Sequence, residues 1–257
     1  MKKKKIIITG GAGFIGSHIA ERYTQKNAEI IILDNLSTGR LDNIKKFKDK
    51  VTFIKCDLSK NGKWNQYFKE AYCVYHLASL ADIVPSIEKP IDYYSSNVTS
   101  TINVLEACRK YKSKKIVYAA SSSCYGIPEN YPTNEKDKIS PMYPYALTKY
   151  LAEVILFHWN KIYKIPSVSL RLFNVYGVRS RTNSTYGAVM GVFFAQKLAD
   201  KPLTIVGSGN QKRDFVFIDD VVNAFILASS KKINGQIFNI GSGKPKTINY
   251  LANLISS

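Results

Sequence analysis

At 257 residues the chain lies near the upper end of what one hydrophobic core supports, so a single domain with a smaller appendage is expected over two equal ones. Hydrophobic residues make up 45%, enough for a packed globule. No apolar run reaches the roughly 20 residues of a membrane span or the roughly 7 to 15 of a secretory segment, since only Ile6, Ile7 and Ile8 follow the opening lysines before Thr9. Lys and Arg outnumber Asp and Glu by 37 to 19, a net charge of +18 that suits an anionic partner or simply a lysine-rich solvated surface. The basic residues are scattered and form no nucleic-acid-binding stripe, so neither nucleic acid nor a membrane is expected as a partner.

In chain order, short β-branched runs at 5–9, 29–34, 51–57, 73–78, 115–123, 167–174, 203–206 and 236–240 predict strands, and 17–26, 97–111 and 145–163 carry helical spacing. Strands alternating with helices predict βαβ units around a parallel sheet, an α/β fold. The alternation loosens after Asn174, where 175–191 reads as a long Gly, Ser and Arg loop of the kind that carries binding function, and a small substrate-binding lobe is expected to begin there. Cys56, Cys73, Cys108 and Cys124 show neither close pairing nor zinc-ligand spacing. Free thiols, no metal site and a cytoplasmic setting are therefore expected.

The first motif that carries chemistry is IIITGGAGFIGSH. Gly10, Gly13 and Gly16 follow a strand and open a helix, which lets the backbone approach a pyrophosphate lying on exposed N–H groups. About 20 residues further on, at the end of the next strand, stands Asp34, where a carboxylate holds ribose hydroxyls and repels a 2′-phosphate. NAD is thus expected over NADP, with Arg40 the one nearby residue that softens the preference; a turn or helix cap is the alternative reading of Asp34.

The second is PMYPYALTKY. Tyr145 and Lys149 are spaced i, i+4, so a helix from about Pro144 puts both on one face, and neither Tyr143 nor Tyr150 has a lysine at that distance. A free phenol holds its proton to about pH 10, and the ammonium of Lys149, joined by the positive nicotinamide ring of bound NAD, is expected to bring Tyr145 within reach of neutral chemistry. Surface packing is the ordinary reading of such a pair taken alone. Upstream, YAASSSCYG ends a strand with Ser121, Ser122 and Ser123, at the end of an open α/β sheet where ligands bind.

With these parts in place the sequence resembles the extended short-chain dehydrogenase/reductase family, and within it the nucleotide-sugar 4-epimerases. TGGAGFIGSH, DNLSTG, CDLS, HLAS, YAASSSCYG, YALTK, RLFNVYG and KRDFVFIDDVV follow the family's order through essentially the whole chain. The resemblance implies a doubly wound parallel sheet (Rossmann) over 1–174 and, over 175–257, a small substrate-binding lobe with elements returning to the first domain. It further implies that this lobe is truncated, since the family continues past TINYLANLISS into a region that supplies a second diphosphate-binding arginine and decides whether an N-acetyl group fits.

By the same resemblance Phe14, Ile15, Asn35, Ser37, Gly39 and Leu58 join Gly10, Gly13, Gly16 and Asp34 around NAD. Asp57 would meet the adenine, while Leu77, Ala78 and Ser79 would line the cofactor channel. Ser121, Tyr145 and Lys149 would be catalytic, with Tyr145 and Lys149 also touching the cofactor. Ser121, Ser122 and Ser123 would face the sugar, and Asn174 and Arg213 the substrate diphosphate; pairing of Arg213 with Asp214 or Asp219 is the alternative. Relatives that eliminate water carry an Asp-Glu pair after the serine position and decarboxylating ones a Glu, where this chain has Ser122 and Ser123. The implied reaction is therefore NAD-dependent 4-epimerisation of a UDP-hexose through a 4-keto sugar. Another chemistry of the family, or an idle NAD- or nucleotide-sugar-binding protein, is the alternative. Leu147, Leu151, Val154 and Ile155 on one side of 145–163, Tyr150 and Phe157 on another, and Val98, Ile102 and Leu105 on a neighbouring helix suggest a homodimer built on a four-helix bundle, or else a helix well buried in its own domain.

Overall fold

The computed structural model describes residues 3–181 and 189–256. Its first part runs β1 (Lys4–Thr9), α1 (Phe14–Thr24), β2 (Ala28–Asp34), β3 (Thr52–Lys55), β4 (Cys73–His76), α2 (Ile83–Glu88), α3 (Pro90–Tyr93), α4 (Ser100–Lys110), β5 (Ile116–Ser121), α5 (Pro144–Tyr163) and β6 (Ser167–Leu172). There follow β7 (Asn174–Tyr176), α6 (Val189–Leu198), β8 (Lys212–Arg213), β9 (Phe215–Phe217), α7 (Ile218–Ser230), β10 (Gln236–Ile240), β11 (Lys246–Thr247) and α8 (Ile248–Ser256).

Seven strands form one parallel sheet in the order β10-β6-β5-β4-β1-β2-β3. The inner strands β1, β2, β4 and β5 carry near-continuous apolar runs because both faces are covered, while β6 also buries Ser167, Ser169 and Arg171 and the edge strands β3 and β10 are partly exposed. Ile6 and Ile8 point into a core shared with Ile19 of α1 and Val221, Val222 and Phe225 of α7. Ile7, between them, points the other way, into a core with Val104 and Leu105 of α4 and Ala152 and Leu156 of α5. The strand order reverses between β1 and β4, and the C-terminal ends of these two strands open the crevice where ligands of such sheets bind.

The sheet is the parallel, doubly wound one expected from the sequence. Differences lie beyond β6. The run expected as one strand over 167–174 is divided by Phe173, whose N–H bonds Ile240 O at 3.0 Å; β6 stays in the main sheet and β7 leaves it to pair with β9. The segment 203–206 is not a strand. Its polar groups go to side chains instead: Gln196 Oε1 accepts from Thr204 N at 3.1 Å, and Gln211 Nε2 donates to Val206 O at 2.9 Å. β-branched residues make a strand only where a pleated, half-buried surface awaits them, and 204–206 are exposed. The two-stranded ladders β7·β9 and β8·β11 were not read from the sequence. Of the loop expected over 175–191, residues 182–188 lie outside the described residues, while Val175 and Tyr176 belong to β7 and α6 starts at Val189. Among the described residues no helix is long and apolar enough to cross a membrane.

Candidate active site

A cleft of about 2120 Å³ runs along the C-terminal ends of the strands, roughly twice the upper volume usual for a single small-molecule pocket. Of the residues expected at cofactor or substrate, all line it except Gly39. Gly39 acts from behind: a Cβ there would stand 2.9 Å from both carboxylate oxygens of Asp34.

The cofactor end is built on the turn from β1 to α1. Gly10 has φ +66°, and a Cβ on it would lie 2.8 Å from Ala78 N, so the turn closes only on glycine. Gly13 caps α1 without any side-chain cap, which leaves the N–H groups of the first turn facing the cleft. Asp34, 6% exposed at the end of β2, accepts from Ala12 N at 2.9 Å and Leu36 N at 2.8 Å. Burial pushes its pKa up and these two bonds hold it down. The bond to Leu36 is the turn contact of the alternative reading, made by one oxygen while the carboxylate still lines the cleft. Asn35 accepts from Ser37 N, and Asp57 from Ser59 N and Oγ.

Behind Leu77, Ala78 and Ser79 runs a chain of buried polar groups that sequence reasoning missed. Its hydrogen bonds have one direction. Thr101 Oγ1 donates to Asn97 O at 2.6 Å and therefore accepts from His76 Nε2 at 2.9 Å. His76 Nδ1 then accepts from Thr9 Oγ1 at 2.7 Å, and Thr9 Oγ1 accepts the N–H groups of Leu77 and Ala78, each at 3.2 Å. Complete burial brings the imidazole pKa down to about 3, so the ring is neutral and its tautomer fixed. Asn97 clasps both backbone groups of Leu80 and donates to Thr148 Oγ1 at 3.0 Å. Thr148 lies on α5 and donates to Tyr145 O, which ties the loop of Leu77 to Leu80 to α5. Threonine and histidine closing otherwise apolar strands were the available signal.

At the other end, Ser121 is the last residue of β5, with its Oγ 2.8 Å from Ser123 Oγ. Tyr145, half-buried in the first turn of α5, meets both hydroxyls, while Tyr143 stands before Pro144 at the exposed N-cap. Burial drives the Tyr145 pKa up, with Ser121 and Ser123 pulling it down and Asp82 pushing it up further. Lys149 is 3% exposed, its Nζ 4.4 Å from the centre of the Tyr118 ring. Burial lowers its pKa to about 7, against a raising influence from Glu153. Lys149 is not among the groups that set this direction, and the expected acidification of Tyr145 calls for the positive nicotinamide ring of NAD beside the ammonium. Glu153, buried one turn beyond Lys149, is held by Arg171 (2.6 Å) and Ser169 (2.6 Å) of β6.

Asn174 donates through Nδ2 to Asp214 O at 3.0 Å. Arg213 donates Nη1 to Lys212 O, while Asp214 is taken up by Ser242 and Gly243 and Asp219 acts on His18. The described ion pairs do not include Arg213 with either aspartate.

The model of the family described as "NAD dependent epimerase/dehydratase family" matches residues 6–241. A Methanocaldococcus jannaschii protein with the provisional name UDP-glucose 4-epimerase is 40% identical over 252 residues, 97% of this chain and 81% of that protein. A UDP-N-acetyl-alpha-D-glucosaminuronate decarboxylase of Bacillus cytotoxicus is 31% identical over 255 residues, 97% of this chain and 78% of that protein. Among solved structures, the UDP-N-acetylglucosamine 4-epimerase from Methanobrevibacter ruminantium M1 in complex with UDP-N-acetylmuramic acid superposes with a TM-score of 0.95 at 35% identity, covering 100% of this chain and 82% of that one. The UDP-glucose 4-epimerase of Thermotoga maritima with UDP-glucose gives 0.93 at 31%, covering 98% and 81%.

Proposed function

Since this chain belongs to the NAD-dependent epimerase/dehydratase family, enzymes that modify nucleotide sugars, we propose that it is a 4-epimerase acting on a UDP-hexose. The observation that carries the reading is the corner at the end of β5. Ser121, Ser122 and Ser123 stand there, and the phenol of Tyr145, the proton carrier in this reading, meets the hydroxyls of Ser121 and Ser123. At the two positions after Ser121, where the resemblance implies an Asp-Glu pair for elimination and a Glu for decarboxylation, this chain has only hydroxyls, whereas epimerisation needs a single group that takes a proton and returns it.

The cofactor end fits NAD. The Gly10 turn and the uncapped start of α1 suit its pyrophosphate, Asp34 its ribose, and Asp57 with Leu58 its adenine. When bound, NAD supplies a hydride acceptor that returns what it takes. Tyr145 removes the proton of the sugar 4-hydroxyl, with Ser121 sharing it. Lys149 supports the phenolate, its amine tuned by burial to change charge near neutrality. The 4-keto sugar turns over while Asn174 and Arg213 hold its diphosphate, and Tyr145 gives the proton back on the other face.

The test is to incubate the protein with UDP-glucose, UDP-N-acetylglucosamine and UDP-glucuronate and to follow each for its 4-epimer by NMR, without added reductant. At least one should convert. Tyr145→Phe should lower the rate by about 100-fold to 10,000-fold, and Tyr143→Phe should leave it within a few-fold. No conversion by a protein shown to hold NAD would leave the idle-module reading; equal losses in the two variants would refute the role of Tyr145.

A further inference from the structure

A neutral hexose and a uronic acid differ in the substituent on carbon 5, one bond from the carbon at which the reaction proposed above takes place. Whatever distinguishes them must lie beside the Tyr145 hydroxyl. An ion pair lines the same cleft. Arg181 directs Nη2 at both carboxylate oxygens of Asp82, with Oδ2 at 2.6 Å. Asp82 ends the loop that follows β4 and precedes α2, and Arg181 belongs to the segment that follows β7, so the pair joins two walls of the cleft that both residues line. The side chains are only 18% and 29% exposed. The Tyr93 hydroxyl bonds the main chain of Asp82, and the Tyr93 ring stands edge-on to Tyr145 with centroids 6.5 Å apart, which fixes Asp82 relative to the phenol. Asp82 is close enough for its charge to act on Tyr145.

We propose that Asp82 sets the sugar class of this site: by occupying Arg181 it closes the sugar end to carboxylate-bearing sugars and reserves it for neutral hexoses. The inference rests on the 4-epimerase reading. A guanidinium in this cleft with no acid of its own would be a receptor for a uronate, because its planar donors match a carboxylate. Asp82 is a tethered competitor already in place. An incoming uronate must displace it and then lie against it, an unfavourable like-charge contact in a water-poor cleft. A neutral hydroxymethyl group leaves the pair intact and hydrogen-bonds to Asp82.

The experiment measures kcat/KM for UDP-glucose and UDP-glucuronate, and Kd for each by calorimetry on the NAD-loaded protein. The parent should favour UDP-glucose in both, on the order of 100-fold. Asp82→Asn keeps the size of the side chain and removes its charge; it should move the ratio toward UDP-glucuronate by about tenfold or more, and adding Arg181→Gln should cancel that gain. An unchanged ratio in Asp82→Asn, or a parent that prefers UDP-glucuronate, overturns the proposal. Should Asp82→Asn fail to fold, the Kd comparison in the parent decides, with equal or tighter UDP-glucuronate binding counting against it. If both sugars bind and neither converts, it is the 4-epimerase reading that fails, and the Kd ratio still judges Asp82.

Discussion

Lys149 is an amine taken out of water on α5, and its pKa, lowered by burial from 10.5 to about 7, has a consequence for stability that needs no substrate to observe. Between pH 7 and 10.5 the unfolded chain holds a proton on this amine and the folded protein does not, so unfolding takes up a proton and folding becomes more favourable as pH rises through that window. As pH falls toward 7 the contribution turns against the folded state. Lys149→Met should therefore raise the Tm of the ligand-free protein near pH 7.5, and the difference between variant and parent should shrink toward pH 10. Following that difference isolates Lys149 from the buried thiols and phenols, whose raised pKa values act in the opposite direction at alkaline pH. A difference independent of pH would show that the amine is not held neutral. The sequence revealed Tyr145 and Lys149 through their spacing. It gave no access to the balance between burial and charge, because that balance depends on Tyr118 and Cys124, which neighbour the pair in the fold alone, as well as on Glu153 one turn along the helix.

Among the elements, β1, β2, β4 and β5 were legible because a strand buried on both faces carries a near-continuous apolar run, β3 and β6 from their place in the alternation of short strands and helices, and α1, α4 and α5 because each presents a periodic face to one side of the sheet. The expected 97–111 helix is longer in the structure: α3 and a π-helical turn over Tyr94–Thr99 lead straight into α4. The wider turn carries Asn97, whose bonds reach Leu80 and Thr148. Nothing in the spacing of YSSNVTS announces one extra residue per turn. The joint between α5 and β6 was equally hidden, since Glu153 and Arg171 are unremarkable in their own segments and become a buried pair only through packing, at 2.6 Å. Glu153→Ala would strand the Arg171 guanidinium without its counter-charge and should cost about 3–5 kcal/mol by chemical denaturation. A loss below about 1 kcal/mol would mean that solvent reaches this joint after all.

For the molecule as a whole, the surface beside the cleft remains apolar. Ile87 of α2, Ile91 of α3 and Leu147 and Val154 of α5 are all exposed, Ile91 at 78%, on helices that pack against one another. Val98 and Leu105, expected to form the partner helix, are buried within the chain's own core, so the contact surface shifts toward α2 and α3. A homodimer through this face should scatter light at twice the chain mass of 28.9 kDa at micromolar concentration, and Leu147→Asp should shift it to the monomer. A monomeric parent would refute the interface.

Phe173 alone separates β6 from β7, and this has a practical consequence for recombining such enzymes. Leu172 is in register with Ser121 on one side of that residue, and Asn174 with Phe215 on the other. The serine corner and the β7·β9 ladder, where the second lobe is expected to begin, therefore hang on two strands joined by a single residue. A crossover placed at 174, where the sequence divides most plainly, would join a donor's lobe to a host's catalytic strand through a seam with no slack, and any mismatch in the tilt of the foreign lobe would be delivered directly to Ser121. Moving the junction upstream of Ser167, so that β6 travels with the lobe it feeds, exchanges that seam for a set of lateral strand pairings whose register is fixed by backbone hydrogen bonds and is indifferent to which parent supplied the side chains.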